Sequence, residues 1–596
     1  MKQDQTATNP GGRKKLWLTV IVIAVAAAVI LGSVFWVLQS RRTDMPDNMK
    51  LYLEKCDLLH DRIVTEDTRL ALGTAPAGDQ AGHVVFLSLS DAAHRARVFT
   101  GTGPTLDAAW EQAAKAGLNM VDSSNFQPVW VRADVVFTAK EVSRKELTAM
   151  LEDSRDESLR WGLSLDPVYD AAFPEAQMNA ERIYSYDNDE VCENHLARAM
   201  ERMGRTAPET LPRQYILFQT MGWFCDENSQ VVTLSHEGPD YGRRIVDTLS
   251  KDDAKALIVG ATDYLAAQVL DSGRFVYGTF PRDNRELEGY NILRHAGTLW
   301  SMICRYRIAP DEQLEQAIQR TLQYLLSQVV EPDGETAYVL EADDLEFKLG
   351  GSALSLIALT EYAEVFEDTQ YLDICRKLGG GIIAMQDPEE GSYTHVLNGN
   401  LTVKDEYRTV YYDGEATFAL CRLYRLTREP QWLEAARKAA DHFVREDYAQ
   451  YGDHWVSYAL NELTDYTDNP DYYLLALRNM QENHDKVWKD TLNPTALEML
   501  GTTCQIYIRM QERGIHVDYD FHPAEIVSAT QFRVQRLLDN YWYPETAMYM
   551  DSPDQILGAF FVRHQHFRTR IDDVQHSVGG LYLYWKNYDI LTAKPG

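Results

Sequence analysis

The 596-residue sequence predicts a mainly α protein: a ring of helical hairpins, preceded by a smaller α/β domain and an N-terminal transmembrane helix. Three observations predict it. From Ser250 onward the chain is a succession of long amphipathic helices that come in pairs. The second helix of each pair is the richer in small and apolar residues, as expected of a helix covered on most sides. Residues 16–38 carry no charge.

In chain order, residues 1–15 form a basic tail, expected to be cytoplasmic. Leu16–Leu38 is long enough to span a bilayer as a helix, with Trp17 and Trp36 near its ends. Lys2, Arg13, Lys14 and Lys15 precede it, and that excess favours an N-terminus inside and a body exported to a periplasmic or extracellular side. The run exceeds a usual signal-peptide core and no small-residue cleavage site follows, so an uncleaved anchor is expected. Residues 43–75 read as a juxtamembrane helical segment, and residues 73–82 as a Gly/Ala/Pro linker.

Residues 83–245 alternate strand and helix signals. Strands are expected at 84–89, 96–100, 128–137, 159–165 and 215–220, and a helix capped by Thr105 at 105–116. Gly101-Thr102-Gly103 is read as a simple turn, because no Lys-Ser/Thr follows to make a phosphate loop. The domain shows no catalytic constellation, and a docking or accessory role is expected.

Residues 250–596 supply six helix pairs: 251–270 with 290–307, 311–329 with 349–366, 370–385 with 413–426, 430–445 with 455–466, 471–486 with 494–511, and 523–541 with 572–587. In the first three pairs a glycine turn at Gly273, Gly334 or Gly391 leads into a short alternating strand before the second helix. Connections of this length inside a compact domain are usually functional.

Net charge is −31, of which residues 1–42 hold +5 (six Lys/Arg, one Asp), leaving −36 for the rest. So acidic a body excludes broad nucleic-acid binding. The seven cysteines make neither a disulfide scaffold nor a zinc pattern. Cys304, Cys375, Cys421 and Cys504 are expected as buried thiols, and the sequence leaves a Cys192–Cys225 pairing undecided.

Six helical hairpins with short strands on the outer-to-inner connections resemble the (α/α)6 toroid of the six-hairpin glycosidase superfamily. The Gly-aromatic turns and the Tyr290-Asn291 and Tyr412-Asp413-Gly414-Glu415 helix starts are similar to uronic-acid hydrolases, 2-epimerases and the C-terminal domain of glucuronyl C5-epimerases. The resemblance implies a carbohydrate substrate and a funnel at the N-termini of the inner helices. It places there Asp283, Tyr290, Asn291, Arg294, His295, Lys348, Tyr411, Tyr412, Asp413, Glu415, His454, Trp455, Asn493, Arg570, Asp572, Asp573 and His576.

Two chemistries compete for that funnel. Hydrolysis needs one carboxyl as acid and another as base or nucleophile; Asp413 or Glu415 opposite Asp283, Asp572 or Asp573 would supply the pair. Elimination or epimerisation of a uronate needs a Tyr or His base and a group that stabilises the enolate; Tyr290, Asn291, Arg294, His295 and Tyr412 suit it. Trp455, Arg568, Arg570 and His576 are further expected substrate contacts, the arginines as bidentate partners for an acidic group. Hydrolysis is the favoured expectation, with no cofactor and no metal. A third class is a non-catalytic glycan-binding or scaffold component of a membrane complex.

Overall fold

The computed structural model describes residues 45–66, 82–155, 158–489 and 491–592. The expected membrane anchor at 16–38 lies outside them, as do residues 43–44 and 67–75 of the juxtamembrane segment. No helix among the described residues is long and apolar enough to cross a membrane.

Helix α1 (Asp47–Glu66) leads into an antiparallel sheet. Its strands are β1 (His83–Ser90), β2 (Arg97–Gly103), β3 (Trp130–Ser143), β4 (Gly162–Ser164), β5 (Ala172–Phe173), β6 (Gln214–Cys225) and β7 (Val231–Thr233). The order is β2-β1-β3-β6-β4-β5, with β7 paired to β6. The expected α/β domain is therefore built on antiparallel pairing rather than on parallel crossovers. Helix α2 (Leu106–Ser124), capped by Thr105 as expected, covers one face together with α1.

The expected turn at Gly101–Gly103 is instead the end of β2. The glycines are needed because α2 lies directly on the strand: a Cβ at Gly101 would stand 2.0 Å from the Ala109 carbonyl oxygen. Cys192 and Cys225 are separate thiols. Burial pushes the Cys225 thiol up to about 11.

The twelve long helices of the C-terminal region are α3 (Lys251–Ala267), α4 (Ile292–Ile308), α5 (Glu312–Ser327), α6 (Leu349–Val365), α7 (Leu372–Ala384), α8 (Tyr411–Thr427), α9 (Pro430–Arg445), α10 (His454–Leu463), α11 (Pro470–Gln481), α12 (Pro494–Glu512), α13 (Pro523–Leu538) and α14 (Ile571–Leu591). The even-numbered helices touch in sequence, α4 to α6, α8, α10, α12 and α14, and α14 returns to α4. That closes a ring of inner helices, and the odd-numbered helices pack outside it. The six-hairpin toroid is thus present in the contacts themselves.

Local sequence explains the division. In α6 every residue from Leu349 to Ala363 is buried, whereas α5 buries one stripe (Leu314, Ala317, Ile318, Thr321, Leu322, Leu325). The recurrent glycines Gly273, Gly334 and Gly391 all have φ near +80° (82, 79 and 78°). Gly273 and Gly391 also press on the outer helix of the next hairpin: a Cβ would meet the carbonyl oxygen of Arg320 or of Lys438 at 2.2 or 2.3 Å. One glycine thus turns the chain and lets adjacent hairpins close up.

The sheet domain is fastened to the toroid at residues 539–551. The amide N–H of Ala96 donates to the Met548 carbonyl at 2.7 Å, the Tyr549 hydroxyl to Ser88 Oγ at 2.9 Å, and buried Arg132 to the Glu545 carbonyl at 2.9 Å. Arg244 and Arg243 form ion pairs with Glu545 and Asp539 across the same seam, both at 2.7 Å. Trp130 and Phe224 of the sheet share one apolar cluster with the toroid.

Candidate active site at the mouth of the ring

The inner helices start at one end of the ring. There α10, α12 and α14 bring together His454, Glu498 and His576. Asp453 fixes the start of α10 by accepting the amide N–H groups of Trp455 and Val456, which leaves His454 as the first helical residue. Glu498 lies one turn into α12 and is fully buried. Its Oε2 accepts from His576 Nδ1 at 2.9 Å, and its Oε1 accepts from the Tyr458 hydroxyl at 3.1 Å. His454 Nε2 stands 3.8 Å from Glu498 Oε2, is buried and has no hydrogen-bond partner. The two imidazole rings face each other edge to face, centroids 5.1 Å apart.

Burial disfavours the charged form of His576, but the Glu498 carboxylate outweighs it, with help from Asp572 and Asp573, and the pKa is raised. The pair therefore combines a histidine held toward its protonated form with a second whose Nε2 is unengaged.

Arg294 comes from the first inner helix. Its Nε pairs with Asp572 at 2.7 Å, and its Nη1 donates to the Tyr277 hydroxyl at 2.5 Å. Arg570 also pairs with Asp572, and Arg568 grips Asp573 through two bonds of 2.9 and 2.7 Å. Burial raises and the two arginines lower the Asp572 pKa, with the lowering dominant. Burial and its charged neighbour Asp572 raise that of Asp573. Arg568 and Arg570 are thus already neutralised by the acids beside them, which fills the bidentate faces that an acidic ligand group would need there.

The other predicted residues fall into distinct places. Asp413 lies in the first turn of α8; it is buried, accepting from His395 Nε2 and from the Tyr448 hydroxyl, both at 3.1 Å. Glu415 is buried with an unpartnered Oε2, and burial, then Asp453 and Asp413, raise its pKa well above the usual carboxylate range. Asp283 is exposed at the tip of the 278–286 hairpin and paired with Arg282 at 2.7 Å. The five predicted acids therefore do not form an opposed pair across open space.

His295 corrects the sequence expectation most clearly. It is fully buried on the outer side of α4: its Nε2–H donates to the Thr321 carbonyl at 3.0 Å and its Nδ1 accepts from the Tyr290 hydroxyl at 2.7 Å. Burial pushes its pKa down to about 3. It is a neutral core histidine tying α4 to α5, and Tyr290 is its partner rather than a free base. Asn291 caps α4, accepting from the Arg294 amide. Tyr412 is buried with its ring 5.5 Å from His395. Asn493 stands at the N-cap position of α12 without a capping bond; its amide donates to the Lys486 carbonyl instead, at 3.1 Å. Lys348 is held by Glu341, Asp344 and Glu346 at 3.2, 3.2 and 3.4 Å.

Trp455 lies under the histidine pair, its ring 6.1 Å from that of His576 and 5.9 Å from that of Trp300. With Phe418 and Tyr458 it forms an aromatic floor across the ring. Above it, Tyr407, Tyr411 and Tyr451 expose 60, 48 and 38% of their surface, and the Tyr411 ring is 5.8 Å from His454. Glu498, absent from the sequence-derived site, is a lone acid in the apolar run Ala496–Leu500. That isolation was its available signal, because a fully buried carboxylate demands partners.

His454, Glu498 and His576 can each offer one ligand atom, all within 4.8 Å of one another, so the cluster could hold a metal ion. The 2.9 Å distance between Glu498 and His576 is, however, that of an ordinary hydrogen bond, whose proton a cation would have to displace.

No protein-family model and no curated protein sequence matches the chain. Solved structures do. A D-mannose isomerase is similar at 11% identity and a TM-score of 0.45, over 58% of this chain and 99% of that one. The cellobiose 2-epimerase of Spirochaeta thermophila DSM 6192 is similar at 13% identity and a TM-score of 0.41, over 56% and 97%. An unsaturated glucuronyl hydrolase specific for heparin is similar at 12% identity and a TM-score of 0.41, over 58% and 100%. Likeness at this level leaves the chemistry to be read from the site itself.

Proposed function

We propose that this protein is a carbohydrate isomerase or epimerase working by proton transfer between His454 and His576 at the open end of the toroid. The observation that carries the proposal is the facing imidazole pair, 5.1 Å between ring centroids, with His576 anchored on buried Glu498. Hydrolysis is the weaker reading, because the acids at the mouth are either locked into ion pairs or buried.

In this reading the open-chain sugar lies at the mouth-side edges of the two rings, which touch each other and leave no room between them. One imidazole removes the proton from the carbon next to the carbonyl. In isomerisation the other returns a proton to the carbonyl carbon while the hydroxyl proton passes from one oxygen to the other; in epimerisation the intermediate turns over, and the proton returns to the opposite face of the same carbon. General acid–base catalysis of this kind contributes about 10²–10⁴-fold. Arg294, held in place by Asp572 and Tyr277, is suited to stabilise the negative charge that develops on the carbonyl oxygen. The exposed rings of Tyr407, Tyr411 and Tyr451 offer apolar faces beside hydrogen-bonding groups, a combination that fits polyhydroxylated substrates.

The test is incubation of the protein with an aldose panel in D2O, followed by NMR. Deuterium incorporation at C2, lost in both His454→Gln and His576→Gln, is expected. New reducing ends from oligosaccharides without C2 exchange would replace this reading by hydrolysis. We further propose that residues 16–38 tether this activity to a membrane, with residues 43–596 exported; the support is the uncharged run and the basic residues before it.

A further inference from the structure

At the opposite end of the ring, where the inner helices finish, lies a cavity of about 330 Å³. It is separated from the histidine pair by the aromatic floor, since Trp300, Phe418 and Tyr458 line it from the far side. We propose that this cavity is a second ligand site, for a polyhydroxylated monoacid of hexuronate size.

Size is the first ground, because small-molecule pockets begin near 300 Å³. Chemistry is the second. Rings of Trp300 and Tyr582 share the wall with Asn461, Gln505 and Gln575, and with the charged groups of Arg307, Arg422, Arg425, Glu361 and Glu462. Apolar faces interleaved with amide donors and acceptors suit a sugar ring and its hydroxyls. Two donors of the lining residues, Trp300 Nε1 and Arg422 Nε, are buried and unpartnered.

Charge is the third ground. Arg307 pairs with Glu361 at 2.5 Å, Arg422 with Glu361 at 2.6 Å, and Arg425 with Glu364 and Glu462 at 2.6 and 3.1 Å. Three arginines thus meet three glutamates. Lys586 is the remaining cation of the wall, exposed and without an ion pair among the described residues. In a chain of net charge −31, that surplus positive group at a cavity rim fits one carboxylate.

The experiment uses the full chain and isothermal titration with D-glucuronate and D-glucose. Tyr458 is left intact because its hydroxyl also donates to Glu498. Cys304→Phe fills the cavity, and Lys586→Ala removes only the rim charge. Glucuronate is expected to bind; Cys304→Phe abolishes that binding, Lys586→Ala weakens it at least tenfold, and His576→Gln leaves it unchanged. Glucose is expected to bind at least tenfold more weakly. Lack of glucuronate binding by the wild type would overturn the proposal. So would binding that survives Cys304→Phe or that disappears with His576→Gln, which would place it at the other mouth. Equal affinity for glucose, or no effect of Lys586→Ala, would overturn the monoacid assignment. Far-UV circular dichroism, and Lys586→Ala at an exposed position, separate a lost site from a misfolded variant. Failure of sugar epimerisation would leave these results untouched.

Discussion

Replacing Glu498 by Gln tests the heart of the site with the least change of shape. The amide keeps an acceptor for the Tyr458 hydroxyl or for His576, but removes the charge that favours the imidazolium. In the structure the Glu498 side chain has no exposed surface, that of His576 is 21% exposed, and the bond is 2.9 Å. A hydrogen bond to a charged group contributes about 1.5–3 kcal/mol and a neutral one about 0.5–1.5 kcal/mol. The substitution therefore withdraws roughly 1–2 kcal/mol of stabilisation from protonated His576, which corresponds to a turnover loss of about 5–30-fold if that form is the proton donor.

The same bond makes a pH-dependent contribution to stability. The His576 pKa is raised above its usual 6.5, so its contribution is complete below pH 6.5 and disappears as pH rises through the raised value. Glu498→Gln should accordingly be most destabilised relative to wild type in acid, with the difference narrowing on the alkaline side. The assay is a pH–rate profile for C2 proton exchange by NMR, paired with thermal unfolding at pH 5.5 and pH 8.5. An unchanged rate with an unchanged alkaline limb would refute the assignment of His576 as a carboxylate-supported acid.

Three further outcomes are expected. Glu415→Gln should stabilise the fold at pH 8 by about 1–3 kcal/mol and have little effect at pH 4, because a buried carboxyl with raised pKa favours unfolding once the unfolded chain ionises above its usual 4.5; thermal melts at the two pH values check this. Gly350→Ala should destabilise by about 1–3 kcal/mol, since its Cβ would stand 2.1 Å from Glu415 Oε2 and 2.6 Å from both Leu293 Cδ1 and Tyr412 Cδ1; chemical denaturation measures it. Exchange activity should survive EDTA and be inhibited by micromolar zinc, because a cation on His454, Glu498 and His576 would displace the proton between Glu498 and His576; loss of activity in EDTA with recovery on adding a metal would make the cluster a metal centre.

How much of this was legible in the chain follows from what periodicity can and cannot encode. The twelve helices were legible because burial leaves a local record: α6 is apolar on all sides and α5 on one. The end of the ring that carries the histidine pair was legible too, since Arg294, His454 and His576 all follow helix starts. The face each residue takes was not. His295 and His454 both stand near the beginning of an inner helix, in similar company. His295 turns outward to the Thr321 carbonyl of α5, and His454 turns toward Glu498 of α12. One helical position changes direction by 100°, and only the neighbouring hairpins decide which direction meets a partner. Glu498 shows the same limit: its Tyr458 and His576 contacts lie 40 and 78 residues away. Acids at helix starts draw attention because they are numerous and polar, yet here their arginines stand beside them in sequence, Arg570 with Asp572 and Arg568 with Asp573. Local pairing neutralises those groups, whereas the lone acid of an apolar run must find its partner across the ring. In this toroid that long-range demand is what assembles the histidine pair.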